Sequence, residues 1–252
     1  MLNYSLELIT QKPIYFNGIK IIQPTLDTII NDFGMEKYNE CLLPFVIDLD
    51  FFDISDELKE QYNINNVFDI LVLDSNISLL LNSIEIFCGT KPMSFDTKNK
   101  RLYIGDTSAD NFDVNSNYLD SNNFNDFADI ILKINSKTKP QKEIPPKNMT
   151  AKQKDIWNKL QAGRKRHAEK SQIDLADLIN TCEFGGDYYI PISNILNWTL
   201  WNISRCYQAI LGKSNYKDAF SVYCVTGEKD LIKKHWSDLI SVDDEKQNKI
   251  KI

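Results

Sequence analysis

The sequence contains little glycine and almost no histidine. Only 9 of its 252 residues are Gly and 2 are His, whereas Gly makes up about 7% of an average protein. Loops that cradle phosphates need glycines, and neither G-x-G-x-x-G nor G-x-x-x-x-G-K occurs. The G-x-S-x-G nucleophile elbow and the H-E-x-x-H zinc pair are also missing. These absences argue against the common enzyme classes, so we expect no catalytic residues and no cofactor.

Metal-binding patterns are also absent from the sequence. The five cysteines are odd in number and widely spaced, without a C-x-x-C pair, which argues against a zinc framework and a disulfide scaffold. Asp48, Asp50 and Asp53 form an acidic stretch, but it lacks the central Gly and distal Glu of a calcium loop. We therefore expect no metal site. An unfamiliar enzyme would need a polar pocket that gathers Asp48, Asp50 and a histidine.

No segment of the sequence is typical of a membrane protein or a secreted one. The most apolar stretch, residues 67–87, is interrupted by Asp69, Asp74 and Glu85, which indicates a buried helix and not a membrane span. The first residues lack the basic and apolar regions of a signal peptide. We expect a cytoplasmic protein with reduced thiols and no membrane contact.

Charge is divided unevenly along the chain. Residues 1–136 contain 21 acidic and 9 basic residues, and residues 137–252 contain 14 acidic and 20 basic ones, so a net charge of −12 is joined to one of +6. Such asymmetry indicates two functional halves, or surfaces of opposite sign that meet a partner or each other. Residues 133–170, with 12 basic residues against 3 acidic, are the candidate strip for nucleic-acid binding. The sequence pI of 5.1 argues against that alternative.

Two β-hairpins are predicted in the N-terminal half. Asn17-Gly18 lies between two β-prone runs of residues 13–23, and this dipeptide is the strongest short hairpin signal because both residues tolerate positive φ. Residues 93–96 and 101–104 form a second pair of candidate strands.

Helix signals accompany these hairpins. Thr25 can cap a helix that stops at Gly34. Asn66, followed three residues later by Asp69, marks the start of a helix that we expect to continue through Phe87.

The C-terminal half is predicted to be entirely helical. Thr150 and Gln153 form a capping box. Pro191 suits the first turn of the longest helix, whose apolar face continues to Ile210. We expect Ser214 to cap the helix after it. The fold class predicted overall is α+β and predominantly helical, with small hairpins in the N-terminal half and a helical bundle in the C-terminal half.

A stretch rich in proline and lysine supplies the predicted domain boundary. Residues 136–149 contain three prolines and little apolar content, which is typical of a linker. We therefore predict an acidic α+β domain over residues 1–135 and a basic all-helical domain over residues 150–241. Residues 242–252 form a charged tail that we expect to fray.

Four tryptophans are candidates for binding a partner protein. Trp198 and Trp201 lie off the main apolar stripe of the longest helix, and Trp157 and Trp236 lie on neighbouring predicted helices. Either the long helix sits inside a bundle, or part of its surface is offered to a partner. We name Trp157, Trp198, Trp201 and Trp236 as candidate partner-binding residues.

The order of features from Trp157 to Leu239 carries a family resemblance. A helix rich in Arg and Lys is followed by Ile173-Asp174-Leu175-Ala176-Asp177-Leu178, Tyr188-Tyr189, Ile195-Leu196-Asn197-Trp198-Thr199-Leu200-Trp201, Asn215-Tyr216, Gly227-Glu228-Lys229-Asp230 and His235-Trp236. This order resembles the tail assembly chaperones and other tail-morphogenesis proteins of tailed phages and prophages of low-GC Gram-positive bacteria. The resemblance covers about a third of the chain and consists of core and turn residues.

The resemblance implies a non-enzymatic protein that escorts other proteins during virion assembly. The implied partners are the tape-measure protein and the tail-tube protein, besides self-association, in the cytoplasm of the host cell. A first alternative is a structural minor tail or baseplate component of the virion. A second is a nucleic-acid-binding accessory protein that uses the basic strip of residues 133–170.

Overall fold

The computed structural model describes residues 4–52, 54–62, 64–73, 76–89, 92–105, 117–139, 148–170, 173–228 and 235–237. The fold is α+β and predominantly helical, with two small antiparallel sheets in the N-terminal half, as predicted. The helices are α1 (Ser5–Thr10), α2 (Met35–Glu40), α3 (Leu43–Val46), α4 (Asp56–Tyr62), α5 (Val67–Leu71), α6 (Ile77–Cys88), α7 (Phe124–Ile134), α8 (Ala151–Lys170), α9 (Leu175–Phe184), α10 (Ile192–Ile195) and α11 (Leu200–Thr226), with a π-helical segment over Thr28–Phe33 and a 3-10 turn over Leu49–Phe51. The strands are β1 (Ile14–Phe16), β2 (Ile19–Ile21), β3 (Pro92–Asp96), β4 (Arg101–Ile104) and β5 (Tyr118–Leu119).

The first predicted hairpin is confirmed. Strands β1 and β2 pair antiparallel, with Ile14 opposite Ile21. Asn17 and Gly18 form the connection with φ of 46° and 79°, the positive values that a tight two-residue turn requires. Alternate side chains of both strands point into the core, so the period-2 pattern fixes which face of the hairpin is buried.

The second hairpin is also confirmed, and a further strand extends it. Strands β3 and β4 pair antiparallel, and β5 adds to the other edge of β4 with Leu102 opposite Leu119. A strand of two residues is too short to show alternation, so sequence patterning gave no signal for β5.

In the main core, helices α3, α6 and α7 pack against the first hairpin, formed by β1 and β2. The ring of Phe45 lies 5.8 Å from that of Phe87, 6.0 Å from that of Phe124 and 5.9 Å from that of Phe127 between centroids. At its edge the buried hydroxyl of Tyr38 donates a hydrogen bond of 2.7 Å to Oδ1 of Asn135. This bond joins α2 to the end of α7, far apart in sequence.

The predicted single helix from Asn66 through Phe87 is wrong, because the chain forms two helices there. The capping box is present: Asn66 Oδ1 accepts from the amide of Asp69, whose carboxylate accepts from the amide of Asn66. Helix α5 then ends at Leu71, and α6 begins at Ile77. The side-chain amide of Asn76 donates to the carbonyl of Ile70, and such side-chain bonds offer the backbone an alternative to helix continuation.

The expected helix boundaries near Pro191 and Ser214 are wrong as well. After Pro191 the chain makes only the short helix α10. Thr199 then caps the long helix α11, its hydroxyl accepting from the amide of Asn202 at 3.3 Å. Ser214 lies inside α11, which continues to Thr226 and ends at Gly227 with φ of 73°.

A second, smaller core contains residues from both halves of the chain. It contains Leu26, Cys182, Ile195 and Ile203. The amide of Leu26 donates to the carbonyl of Trp198 at 2.7 Å, and that of Asp27 donates to the carbonyl of Leu196 at 2.9 Å. In return, Trp201 belongs to the main core. Each half of the chain therefore supplies a side chain to the core of the other.

The domain division stays a prediction. Residues 140–147 of the predicted linker and the whole tail, residues 242–252, lie outside the described residues. Within the ranges given above, no helix is both long and apolar enough to cross a membrane.

Candidate protein interface

The four predicted partner-binding tryptophans lie in different surroundings. Trp201 is buried in the main core, with the guanidinium of Arg205 5.5 Å from its ring centroid. Trp198 is half-buried and packs against the second core. Trp157 is half-buried on α8, and the ring of half-buried Trp236 lies 5.5 Å from that of His235. Their role in partner binding stays a prediction, and the most exposed aromatic side chains of the C-terminal half are others.

The largest exposed aromatic group in the C-terminal half comes from the loop between α9 and α10. We call residues 184–192, which comprise this loop with the last residue of α9 and the first of α10, the aromatic loop. Tyr188 is 84% exposed, Phe184 68% and Tyr189 62%, and the rings of Phe184 and Tyr189 lie 5.8 Å apart. Scattered apolar residues are ordinary on a protein surface, but a cluster of large aromatics is typical of a binding site.

Gly185 is sterically required at the end of α9, where the aromatic loop begins. A Cβ there would stand 2.6 Å from the carbonyl oxygen of Thr181, whereas Ile210 of α11, at 3.4 Å, would be an ordinary contact. A Cβ at Gly186 would also make only an ordinary contact with Ile210, at 3.8 Å. The steric limit at Gly185 means that only glycine permits this end of α9 without a backbone shift.

Ion pairs and a hydrogen bond fix the conformation of the loop. The carboxylate of Asp187 contacts the ammonium groups of Lys213 and Lys217 on α11, and the hydrogen bond and charge of Lys213 lower the pKa of Asp187. The hydroxyl of Tyr189 donates to the carboxylate of Glu183 at 3.1 Å, which raises the pKa of Tyr189. The loop is thus held in place before any partner arrives.

Helix α11 extends the aromatic loop along one stripe. Ile210, Lys213 and Lys217 contact the loop at the spacing of three to four residues that defines a helix face. Phe220, 48% exposed, comes three residues after Lys217 and continues that stripe. We call Phe184, Tyr188, Tyr189 and Phe220 the aromatic surface.

The distal half of α11 carries further aromatic contacts. At 1.5 Å per residue its 27 residues make a helix about 40 Å long. The rings of Tyr216 and Phe220 are 6.4 Å apart, and the ring of His235 lies 5.0 Å from that of Tyr216. Val222 and Val225 are exposed on the same half. The distal half of α11 therefore has exposed apolar side chains on its surface, those of Phe220, Val222 and Val225.

Cysteine, histidine and aspartate side chains are the groups that could react or bind a metal ion. Burial raises the pKa of the Cys88 thiol to about 12, whereas a hydrogen bond from Cys182 lowers the pKa of half-buried Cys206. Nδ1 of the exposed His235 is 2.8 Å from Oγ of Ser237. Asp48 is exposed, and the side chain of Asp50 lies outside the described residues.

Metal-ligating side chains and a surface cavity bear on ligand binding. Within the described part of the chain, no group of three or more His, Cys, Asp or Glu is placed to hold a metal ion. A cavity of about 250 Å³ lies between β2, the end of α6 and the end of β4, with Lys20 and Asn117 among its lining residues. These observations do not define a reaction.

Comparison with known proteins adds no relative. No protein-family model, curated protein or solved structure matches the chain. The case for a function rests on the residues described above. The sequence signal that could have located the aromatic surface is Gly185-Gly186 followed by Tyr188-Tyr189, because paired glycines allow a tight loop and paired tyrosines rarely find room in a small core.

Proposed function

We propose that the protein is a non-enzymatic assembly factor of phage tails, a chaperone for the tape-measure or tail-tube protein that acts through protein–protein contacts. The observation that carries this proposal is the aromatic surface, whose exposed rings lie on the aromatic loop and on α11, and the ion pairs of Asp187 join that loop to α11. The resemblance stated above supports the choice of partner, and its Tyr188-Tyr189 pair lies on this surface.

The chemistry of the aromatic surface suits an apolar helical partner. Tyrosine and phenylalanine supply large contact areas with few rotatable bonds, and such residues dominate the binding energy of interfaces. A helix docks by placing side chains spaced three to four residues apart into an apolar groove. Because the ion pairs of Asp187 fix the loop beforehand, binding orders fewer groups and loses less entropy.

Co-purification with the proteins of its own gene cluster tests the proposal. The chain is expressed together with the tape-measure and tail-tube proteins encoded beside it, and we expect a stable complex with one of them. Tyr188→Ser and Phe220→Ser should each weaken that complex at least about fivefold, since an interface anchor contributes more than about 1 kcal/mol.

A matched control is available on the first hairpin. Tyr15 is 65% exposed, between the 84% of Tyr188 and the 48% of Phe220, but lies on β1, so Tyr15→Ser should leave the complex unchanged. Failure to bind any neighbour, or equal weakening by Tyr15→Ser and Tyr188→Ser, contradicts the proposal.

A permanent place in the virion is the alternative that uses the same surface. A minor tail or baseplate protein also needs exposed apolar side chains, so geometry alone favours neither role. Mass spectrometry of finished particles and of assembly intermediates separates them. A chaperone is present in the intermediates and absent from the particles, whereas a structural component is present in both.

A further inference from the structure

Helix α8 presents an apolar strip inside a strongly basic surface. Ile156 and Leu160 are one helical turn apart and both are exposed, with half-buried Trp157 beside them. The helix carries seven Lys and Arg against two acidic residues, and the exposed side chains of Lys152 and Lys154 lie just before the strip. We call Ile156 and Leu160, with the basic residues around them, the basic strip of α8.

Helix α4 presents the complementary arrangement. Leu58 and Tyr62 are also one turn apart and both are exposed. Their helix contains Asp56, Glu57 and Glu60, all exposed, against the single basic residue Lys59. Just before the helix, Phe51 is exposed too. We call Leu58 and Tyr62, with these acidic residues, the acidic strip of α4.

We propose that the basic strip of α8 in one copy of the protein binds the acidic strip of α4 in a second copy. Both strips carry an apolar pair at the same i, i+4 spacing, so the two helices can pack along one turn. Their flanking charges are opposite, which favours this pairing and opposes contact between two α8 helices or two α4 helices. Both strips are exposed, and their matching spacing and opposite charges make a second copy of the chain the occupant.

This pairing joins two different patches, so it takes one of two forms: a symmetric dimer in which the α8 of each copy meets the α4 of the other, or a head-to-tail association that continues into a ring or an open filament. The charge division of the whole chain, −12 in one half and +6 in the other, acts in the same direction. The aromatic surface takes no part, so this inference stands apart from the proposed function.

Two double variants of the full chain test the proposal. Ile156→Gln with Leu160→Gln removes the apolar pair of α8, and Leu58→Gln with Tyr62→Gln removes that of α4. Glutamine is polar and a good helix former, and far-UV circular dichroism checks that helicity is kept. Sedimentation velocity over a range of concentrations measures the association at about 0.05 M and 0.5 M salt, since screening weakens exposed charge pairs.

We expect the self-association of the unmodified chain to increase with protein concentration and to be stronger at low salt. Each double variant alone should bind itself at least about tenfold more weakly. A mixture of the two should form a one-to-one dimer that grows no further, because each variant supplies the strip that the other lacks. Leu6→Gln with Ile9→Gln, which removes an exposed apolar pair on α1, should change nothing.

Several outcomes overturn the proposal. The unmodified chain is monomeric at every concentration; or the double variants associate as it does; or their mixture forms no dimer. Association that disappears after nuclease treatment also overturns it, and assigns the basic strip to nucleic acid.

Discussion

Leu26→Ala tests whether a residue from the N-terminal half holds the C-terminal helices together. Leu26 is fully buried in the second core, beside Cys182, Ile195 and Ile203. The hydrogen bond from its backbone amide to the carbonyl of Trp198 does not involve the side chain and is kept in the variant. The substitution therefore reports the contribution of the buried side chain alone to the free energy of unfolding.

The expected cost follows from the burial of that side chain. Burying a leucine contributes about 1.5–3 kcal/mol by transfer, and the cavity left by truncation raises the measured loss for Leu→Ala to about 2–5 kcal/mol. We expect about 3 kcal/mol, near the middle of that range. For a chain of this size that loss lowers the Tm by roughly 6–12 °C.

Thermal unfolding and amide hydrogen exchange measure the effect. Exchange should accelerate in α9, α10 and the first turns of α11, although the substituted residue is more than 140 positions away. The matched control is Leu6→Ala, since Leu6 is exposed on α1 and should change stability by less than about 0.5 kcal/mol. A loss below about 1 kcal/mol, or faster exchange confined to residues 4–139, would refute the reasoning.

Three further predictions concern single side chains. Tyr38→Phe removes the donor to Asn135 and leaves a buried amide oxygen unpaired, so urea unfolding should show a loss of about 1–3 kcal/mol; no loss would mean that Asn135 finds another partner. The ion pairs that lower the pKa of Asp187 stabilise the aromatic loop above the unfolded pKa of about 3.9 and are lost as pH falls through the lower folded value. Asp187→Asn should therefore lower the protection of the loop amides at pH 7, measured against their intrinsic exchange rate, and abolish the loss of protection that acid causes in the unmodified chain; unchanged protection would contradict this. In native protein, exposed Cys224 should react with iodoacetamide within minutes, whereas buried Cys88, with a pKa raised to about 12, should react only after unfolding; mass spectrometry of the labelled peptides decides.

Local signals predicted the elements whose geometry depends on neighbouring residues. Asn17-Gly18 predicted the first hairpin because its turn needs positive φ, and Asn66 with Asp69 predicted the start of α5 because the capping box closes within four residues. Neither depends on the rest of the fold.

Other features could not be predicted in this way. At the end of α5 the side chain of Asn76 donates to the carbonyl of Ile70, and residue type alone does not show that this bond replaces a further helical turn. Ser214 is a residue type that often caps helices, but it lies inside the uninterrupted α11. The place of Leu26 in the second core has no local signature. The aromatic surface was missed because the exposure of Tyr188 is a property of the assembled fold; Gly185-Gly186 followed by Tyr188-Tyr189 indicates a tight aromatic loop but not which of its side chains are exposed.

Because each core contains a side chain from the other half of the chain, cleavage of the chain between the two halves should not separate them. Leu26 fills a space among the C-terminal helices, and Trp201 fills one in the N-terminal core, while Leu200 packs against both. A protease that cleaves between residues 139 and 148 would break the covalent link between the halves and leave these side-chain contacts intact. The two fragments should stay together as a non-covalent complex, and each should lose structure when separated from the other.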